Sequence, residues 1–111
     1  MDAVLGPSEE FAVNVELRFF DGCPNATLAH ERMKSALRLA SHESTTILLT
    51  EVMTAEQAQA IGFVDSPTVL VDGPDPFAVG DETVGLGCRL FRTPDGLAGS
   101  PALEQMREAL L

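Results

Sequence analysis

The chain has 111 residues, the length of a single domain, and 45% of them are hydrophobic, which is ordinary for a core that needs no disulfide or metal. Its 7 basic and 17 acidic residues give a formal net charge of −10, which repels nucleic-acid phosphates and anionic lipid and argues against both as partners. The sequence has no pattern typical of a signal peptide or a membrane span, so we expect a cytoplasmic protein with reduced cysteines and no cofactor.

The first predicted elements are a strand and a helix joined by a short turn. We expect residues 1–12 to form a mobile N-terminal arm and residues 13–111 to form the domain. Apolar and polar side chains alternate over Val13–Phe19, which predicts a half-buried strand. From Pro24 to about Ala40, apolar residues recur at intervals of three and four, which predicts an amphipathic helix with proline at its favoured first position.

The middle of the chain predicts a buried strand, a short capped helix and a second apolar strand. Residues 45–50 are rich in β-branched and apolar side chains, as buried strands are. Thr54 and Gln57 fit a capping box that opens a short helix, and Gly62 fits the left-handed residue that ends it. Residues 68–71 then predict a further apolar strand.

The last third of the chain predicts a loop, a strand, a turn and a helix. Residues 73–87 contain several glycines and prolines, which predicts an irregular loop. Residues 88–92 predict a strand that we expect to form an antiparallel hairpin with the strand before it. A turn follows at residues 93–96, and Ser100-Pro101 predicts the cap of a last helix.

The order of these elements predicts the fold class. It runs strand, helix, strand, helix, strand, strand, helix, which is typical of a single α/β domain. Helices that link the first three strands imply right-handed crossovers and parallel pairing. We therefore expect one central mixed four-stranded sheet flanked by helices.

Two segments of the sequence resemble the thioredoxin-like superfamily. The first is Phe19-Phe20-Asp21-Gly22-Cys23-Pro24, which is similar to that family's strand, loop, cysteine and helix start. The second is Ser66-Pro67-Thr68-Val69-Leu70-Val71-Asp72-Gly73, which is similar to its proline-led third strand. The resemblance implies a thioredoxin-like β-α-β-α-β-β-α domain and a cis peptide bond before Pro67, placed beside Cys23. It also implies a substrate surface made by Pro24, Ser66, Pro67 and Thr68.

Cys23 is the predicted reactive group. A thiol at a helix N-terminus faces unpaired backbone amides and the positive end of the helix dipole, which favour the thiolate that attacks disulfides. Thioredoxins carry Cys-x-x-Cys, whereas this motif is Cys23-Pro24-Asn25-Ala26 and lacks the second thiol. The leading hypothesis is a monothiol protein of thiol–disulfide exchange or thiol sensing, with Cys23 as nucleophile. Its partner is a thiol or disulfide on a protein or a small molecule.

Cys88 has two possible roles that depend on how its strand pairs. If that strand pairs with residues 68–72, Cys88 lies at the hairpin end, too far from Cys23 for a disulfide, which needs Cα atoms within about 7 Å. If the loop 73–87 folds back across the site, Cys88 becomes a candidate resolving thiol or second ligand for a soft metal.

A second resemblance concerns this pair of cysteines. The catalytic domain of organomercurial (alkylmercury) lyases is similar in having one cysteine at the first helix and another on a later strand, and Gly87-Cys88-Arg89-Leu90-Phe91 resembles that strand. The resemblance implies mercury held by two thiolates and a carboxylate. The position of the acid in those enzymes corresponds to Ala26 here, and Asp21 and Asp65 are the candidate substitutes. A third hypothesis is a non-enzymatic thioredoxin-like scaffold that binds a partner.

Overall fold

A computed structural model of the chain describes residues 13–78 and 85–111. The predicted N-terminal arm and residues 79–84 of the predicted loop lie outside the described residues. Ten helices and strands are present in the described part, in the order β1 Val15–Phe19, α1 Pro24–Leu39, β2 Ile47–Glu51, α2 Ala55–Ile61, β3 Val64–Ser66, β4 Thr68–Val71, β5 Gly85–Cys88, β6 Phe91–Thr93, β7 Gly96–Ala98 and α3 Leu103–Ala109. The predicted mixture of helices and strands is confirmed, but the strands are more numerous than expected.

The main sheet has three strands in the order β2-β1-β4. β1 and β2 run parallel, with Val15 opposite Ile47, whereas β4 runs antiparallel to β1, with Val15 opposite Val71. The sheet is mixed, as predicted, but the expected parallel pairing of the first three strands is wrong for the third. The connecting helix α2 has 7 residues, about 10 Å of helix, whereas a five-residue strand is about 16 Å long. The chain therefore stays at one end of the sheet and enters β4 from that end.

The predicted hairpin between residues 68–71 and 88–92 is also wrong, and so is the four-stranded sheet that it would complete. In the described part of the chain, β5 pairs in parallel with β3, and β6 pairs antiparallel with β7. The strand predicted over residues 88–92 is interrupted because the side chain of Arg89 is buried rather than exposed on a strand face. Ordinary strands alternate their side chains between two faces. A buried arginine needs a charged partner, and for Arg89 this partner is Asp75 in the loop after β4.

The main core lies on one face of the three-stranded sheet. Helices α1 and α3 cover this face, and the buried residues they share with the strands are Val13, Val15, Leu17, Ala29, Met33, Ala36, Leu37, Val69, Val71, Met106 and Leu110. The alternation predicted for β1 and the amphipathic face predicted for α1 are both confirmed by this burial. Burial of each large apolar side chain contributes roughly 1.5–3 kcal/mol, so this layer fixes α1 against β1.

A second, smaller core holds α2 in place near the C-terminal end of β2. Ala58 of α2 packs with Val52 and Phe63, and Phe20 packs against them. The predicted capping box is confirmed, since the Gln57 amide N–H donates to Thr54 Oγ1 at 3.1 Å and Gln57 Oε1 accepts from the Thr54 amide at 3.2 Å. Gly62 ends the helix with φ 68, as predicted.

The last helix begins slightly later than the sequence predicts. Its N-cap is Ala102 instead of Ser100, whose hydroxyl donates to the carbonyl of Pro101 at 2.9 Å. Gln105 Oε1 accepts from the Ala102 amide at 2.8 Å, so this glutamine caps the helix instead. In the ranges that the structure describes, none of the helices has the length and apolar character of a membrane span.

Candidate thiol site

Cys23 is the N-cap residue of α1. Its backbone is extended, with φ −79 and ψ 111, and Pro24 occupies the start of the helix as predicted. Gly22 has φ 87 and so makes a turn that an ordinary L-residue disfavours. The Cys23 amide donates to the carbonyl of Phe20 at 3.3 Å, and the Cys23 carbonyl accepts from the amide of Ala26 at 3.2 Å. These local bonds hold the thiol at the beginning of the helix.

The Cys23 side chain is largely enclosed. It is 6% exposed and in the reduced form, and it makes no capping hydrogen bond to the helix. The first turn of α1 contains no acidic residue, so no carboxylate within that turn opposes the positive end of the helix dipole. The enclosure leaves only a small part of the Cys23 residue accessible to an incoming disulfide.

The predicted proline segment lies at the same end of the sheet as Cys23. The Ser66-Pro67 peptide bond is cis, as the resemblance implies. Arg18 pairs with Thr68 in the antiparallel register of β1 and β4, so residue 67 comes at the end of β1 from which the chain continues toward Cys23. The hydroxyl of Ser66 accepts from the amide of Phe20 at 3.4 Å, which joins the proline segment to the loop before Cys23.

The residues expected to form a substrate surface differ in their exposure. Pro24 is exposed, whereas Ser66, Pro67 and Thr68 are buried. Thr68 Oγ1 donates to the carbonyl of Asp65 at 2.7 Å, so its hydroxyl is used inside the fold. In this arrangement Pro24 is the predicted contact residue that lies open to an incoming molecule.

Cys88 lies on β5, opposite Ser66, and its residue is exposed. The expectation that its strand pairs with residues 68–72 is therefore wrong. Two bonds hold β5 in this position, since the Arg89 amide donates to the Ser66 carbonyl at 2.9 Å and the Gly87 amide donates to Asp65 Oδ1 at 2.9 Å. Ser66 is thus bonded to the loop before Cys23 on one side and to the strand of Cys88 on the other.

Arg89 is a buried residue that the sequence reasoning missed. Its side chain is 6% exposed and pairs with Asp75 at 2.6 Å. It also donates to the Phe77 carbonyl at 3.1 Å and lies 4.5 Å from the ring centroid of Phe91. These contacts attach the start of the loop after β4 to the segment after β5. The sequence of residues 88–92 gives no sign of this burial, because Asp75 lies 14 positions away.

The three-ligand mercury arrangement implied by the lyase resemblance is not formed by the described residues. Among residues 13–78 and 85–111, His, Cys, Asp and Glu side chains do not gather in any group of three suited to a metal ion. Asp65, one of the two candidate acids, accepts the Gly87 amide, and Asp21 is exposed.

A polar network lies on the sheet face opposite α1. Arg18 Nε donates to Glu16 Oε2 at 2.9 Å, and Thr50 Oγ1 donates to the same oxygen at 2.7 Å. The hydrogen bond from Arg18 lowers the pKa of Glu16 below its ordinary value of 4.5, with Thr50 adding to the effect against the cost of burial. Arg18 also donates to the carbonyl of Ile61 at 3.0 Å, at the end of α2.

The fold and the site define a small mixed α/β domain with a thiol at the start of its longest described helix. No protein family, curated protein or solved structure matches the chain.

Proposed function

We propose that this protein is a monothiol, thioredoxin-like protein of thiol–disulfide exchange, with Cys23 as the nucleophile. The observation that carries the proposal is the hydrogen bond between Ser66, which precedes the cis proline, and Phe20 in the loop that opens α1 at Cys23. A helix-start cysteine and a proline-led strand are the two features of the thioredoxin-like resemblance. Here they share one end of a sheet although they are more than 40 positions apart in the chain, since Phe20 and Ser66 are separated by 46 positions.

The electrostatics of the helix start support this role for Cys23. The thiol lies at the N-terminus of a 16-residue helix with no acidic side chain in its first turn. Backbone amides and the helix dipole at such a position stabilise a thiolate relative to a thiol. The thiolate is the species that attacks a disulfide.

The proposed exchange takes place in two steps. In the first, the Cys23 thiolate attacks one sulfur of a disulfide, a Cys23–partner bond forms, and the partner's second sulfur leaves as a thiolate. In the second, another thiolate attacks the mixed disulfide and releases Cys23. Because Ala26 takes the place of the usual second cysteine, we assign this second step to a thiol from solution. These two steps leave the partner's remaining sulfur in a disulfide with the solution thiol, so one disulfide is exchanged for another. A second solution thiolate that attacks this product releases the remaining partner thiolate, and the two solution thiols, now joined in their own disulfide, have supplied the two electrons.

The test uses the full chain, a small aromatic disulfide whose leaving thiol absorbs light, and Cys23→Ser and Cys88→Ser variants. We expect one equivalent of leaving thiol to be released rapidly by the native chain and by Cys88→Ser, with a mixed disulfide on Cys23 in peptide mass spectra. Cys23→Ser should lose this rapid phase. A rapid phase that follows Cys88, or Cys23 reacting no faster than it does in the urea-unfolded chain, would reject the proposal and favour a binding scaffold.

A two-thiol soft-metal site is the second candidate function. It is favoured by the pairing of β5 with β3, which brings the strand of Cys88 to Ser66 instead of to the far end of a hairpin. Two thiolates are a ligand set that suits soft metals. In this case one mercuric ion should bind tightly per chain, and either Cys23→Ser or Cys88→Ser should abolish that binding. Retention of tight binding in Cys88→Ser would reject the two-thiol site.

A further inference from the structure

Strand β2 lies at an edge of the three-stranded sheet. Among the described residues, none forms a strand pair on its outer side. The amide of Val52, just after β2, donates to the carbonyl of Phe19 at the end of β1 at 2.7 Å. Backbone groups of successive strand residues point alternately to the two neighbouring strands. Ile47, Leu49 and Glu51 therefore direct their amides and carbonyls outward, which forms a template for another strand.

The side chains of β2 make this edge apolar. Leu48 is 60% exposed and Leu49 is 49% exposed, on opposite faces of the same strand. Exposed edge strands are commonly protected by lysine, proline or a bulge. The sequence of β2 is Ile-Leu-Leu-Thr-Glu, and its pairing with β1 is regular over all five residues. The strand has no lysine, proline or bulge, and its one charged residue is Glu51 at its last position.

A basic groove lies beside the start of β2. It has a volume of about 380 Å³ and separates the second half of α1 from the first residues of the strand. Lys34, Arg38 and Ile47 contribute to its lining, together with Glu43. The chain has only 7 lysines and arginines against 17 acidic residues. Two cations and the single carboxylate of Glu43 in the lining therefore leave this groove with a small positive balance on an acidic molecule. Lys34 already pairs with Glu31 at 3.2 Å, but both side chains are largely exposed, and such a pair is weak.

We propose that β2 binds β2 of a second copy of this chain, antiparallel and centred on Leu49. In this register Leu49 faces the partner's Leu49, and Ile47 faces the partner's Glu51. Ile47, Leu49 and Glu51 lie on the sheet face that α1 covers, because their partners on β1 include the core residues Val15 and Leu17. The partner's Glu51 is thereby brought to the groove that contains Lys34 and Arg38.

The distribution of charge along β2 favours a second copy of this chain as the molecule that binds its outer edge. Glu51 at the end of β2 is complementary in charge to the basic groove beside the start of β2. An antiparallel pairing with two-fold symmetry places the Glu51 of each copy at the groove of the other, so this contact forms twice. All outward backbone groups of Ile47, Leu49 and Glu51 are paired in the same register. The pairing joins two three-stranded sheets into one continuous six-stranded sheet.

The first test measures the mass of the full chain by sedimentation over a range of concentrations. We expect a monomer–dimer equilibrium that Leu49→Lys weakens about tenfold or more, because it sets two like charges directly opposite each other at the two-fold axis. Leu97→Lys is the matched control, since Leu97 is also an exposed leucine of a strand, 66% exposed on β7. A monomer at every concentration, or equal weakening by both variants, would overturn the proposal.

The second test exchanges the charges. Glu51→Lys should weaken the dimer, and combining it with Lys34→Glu and Arg38→Glu should restore it, whereas failure of the triple variant to recover would reject the pairing. Circular dichroism of each variant confirms that it folds. Hydrogen exchange of the native chain gives an independent measure, since the amides of Ile47, Leu49 and Glu51 should gain protection as dimer forms. Protection of these amides in a monomer would show that another part of the same chain covers the edge, and would reject the second copy as occupant.

Discussion

The two cysteines lie in segments that are held in place by different kinds of interaction. Cys23 is enclosed at the start of α1, and its own backbone bonds are to residues three positions away, Phe20 and Ala26. Cys88 is exposed on a short strand, which is held by contacts with Asp65 and Ser66 that are 22 or more positions distant. A helix start is specified by its own local sequence, whereas the position of β5 depends on the folding of the rest of the chain. Disturbing the tertiary contacts should therefore affect Cys88 more than Cys23.

The largest expected effect comes from Arg89→Ala, which removes the buried partner of Asp75. Leaving one charge of a buried pair without its partner costs about 3 kcal/mol. Urea unfolding should show this loss in the free energy of unfolding, and hydrogen exchange should show a larger loss of protection at the Gly87 amide than at Leu17. Arg92→Ala, at an exposed arginine three positions on, is the control and should change little. An equal loss of hydrogen-exchange protection at the Gly87 and Leu17 amides would contradict the proposed difference between the segments of Cys88 and Cys23.

A smaller effect on the Cys23 side is expected from Gly99→Ala. A Cβ at this position would collide with the side chain of Asn25 in the first turn of α1. The collision should cost about 1–2 kcal/mol in the free energy of unfolding, because the asparagine must move in a packed region.

Gly99→Ala should also alter the rate at which Cys23 reacts with the aromatic disulfide, while the rate of the Cys88 reaction stays the same. Asn25→Ala removes the obstacle, so the double variant Asn25→Ala with Gly99→Ala should recover most of the stability lost by Gly99→Ala. Additive losses in the two variants would show that the two residues do not interact.

Ser66→Ala tests the residue that joins both regions. It removes the acceptor of the Phe20 amide, and loss of such a bond costs about 1 kcal/mol. The free energy of unfolding should fall by this amount, and the disulfide reaction of Cys23 should change because its loop is less constrained. Ser100→Ala is a matched control at another fully buried serine, whose hydroxyl donates to the carbonyl of the next residue. An unchanged Cys23 reaction in Ser66→Ala would remove the main support for the proposed function.

The smallest expected effect is a pH dependence that arises away from both cysteines. The hydrogen bond from Arg18 lowers the pKa of Glu16 in the folded chain, so its ionised form stabilises the fold fully above the ordinary value of 4.5. This contribution is lost as the pH falls through the lowered pKa. Glu16→Gln should flatten the decrease of the unfolding free energy between about pH 5 and pH 2. Glu56→Gln, at an exposed glutamate of α2, is the control variant for the same measurement.

Much of the local structure was predictable because it depends on near neighbours. Alternation fixed the buried face of β1, the three-and-four spacing fixed that of α1, and Thr54 with Gln57 fixed the start of α2. The position of Cys23 at a helix start belongs to the same group, because Pro24 favours the first turn by its own backbone geometry. Each of these features is set by side chains within a few positions of one another.

The direction of β4, the partner of β5 and the burial of Arg89 were decided only by the tertiary structure. The short reach of α2 turned β4 antiparallel, although the sequence around residues 68–71 would suit either direction. Arg89 is buried because Asp75 and two phenylalanines surround it. The strand-like sequence of residues 88–92 does not predict these contacts. The position of Cys23 at a helix start could thus be predicted from its neighbours in the sequence. The position of Cys88 depends instead on which strand β5 pairs with. Pairing between distant segments is decided by how the whole chain buries its apolar and charged groups.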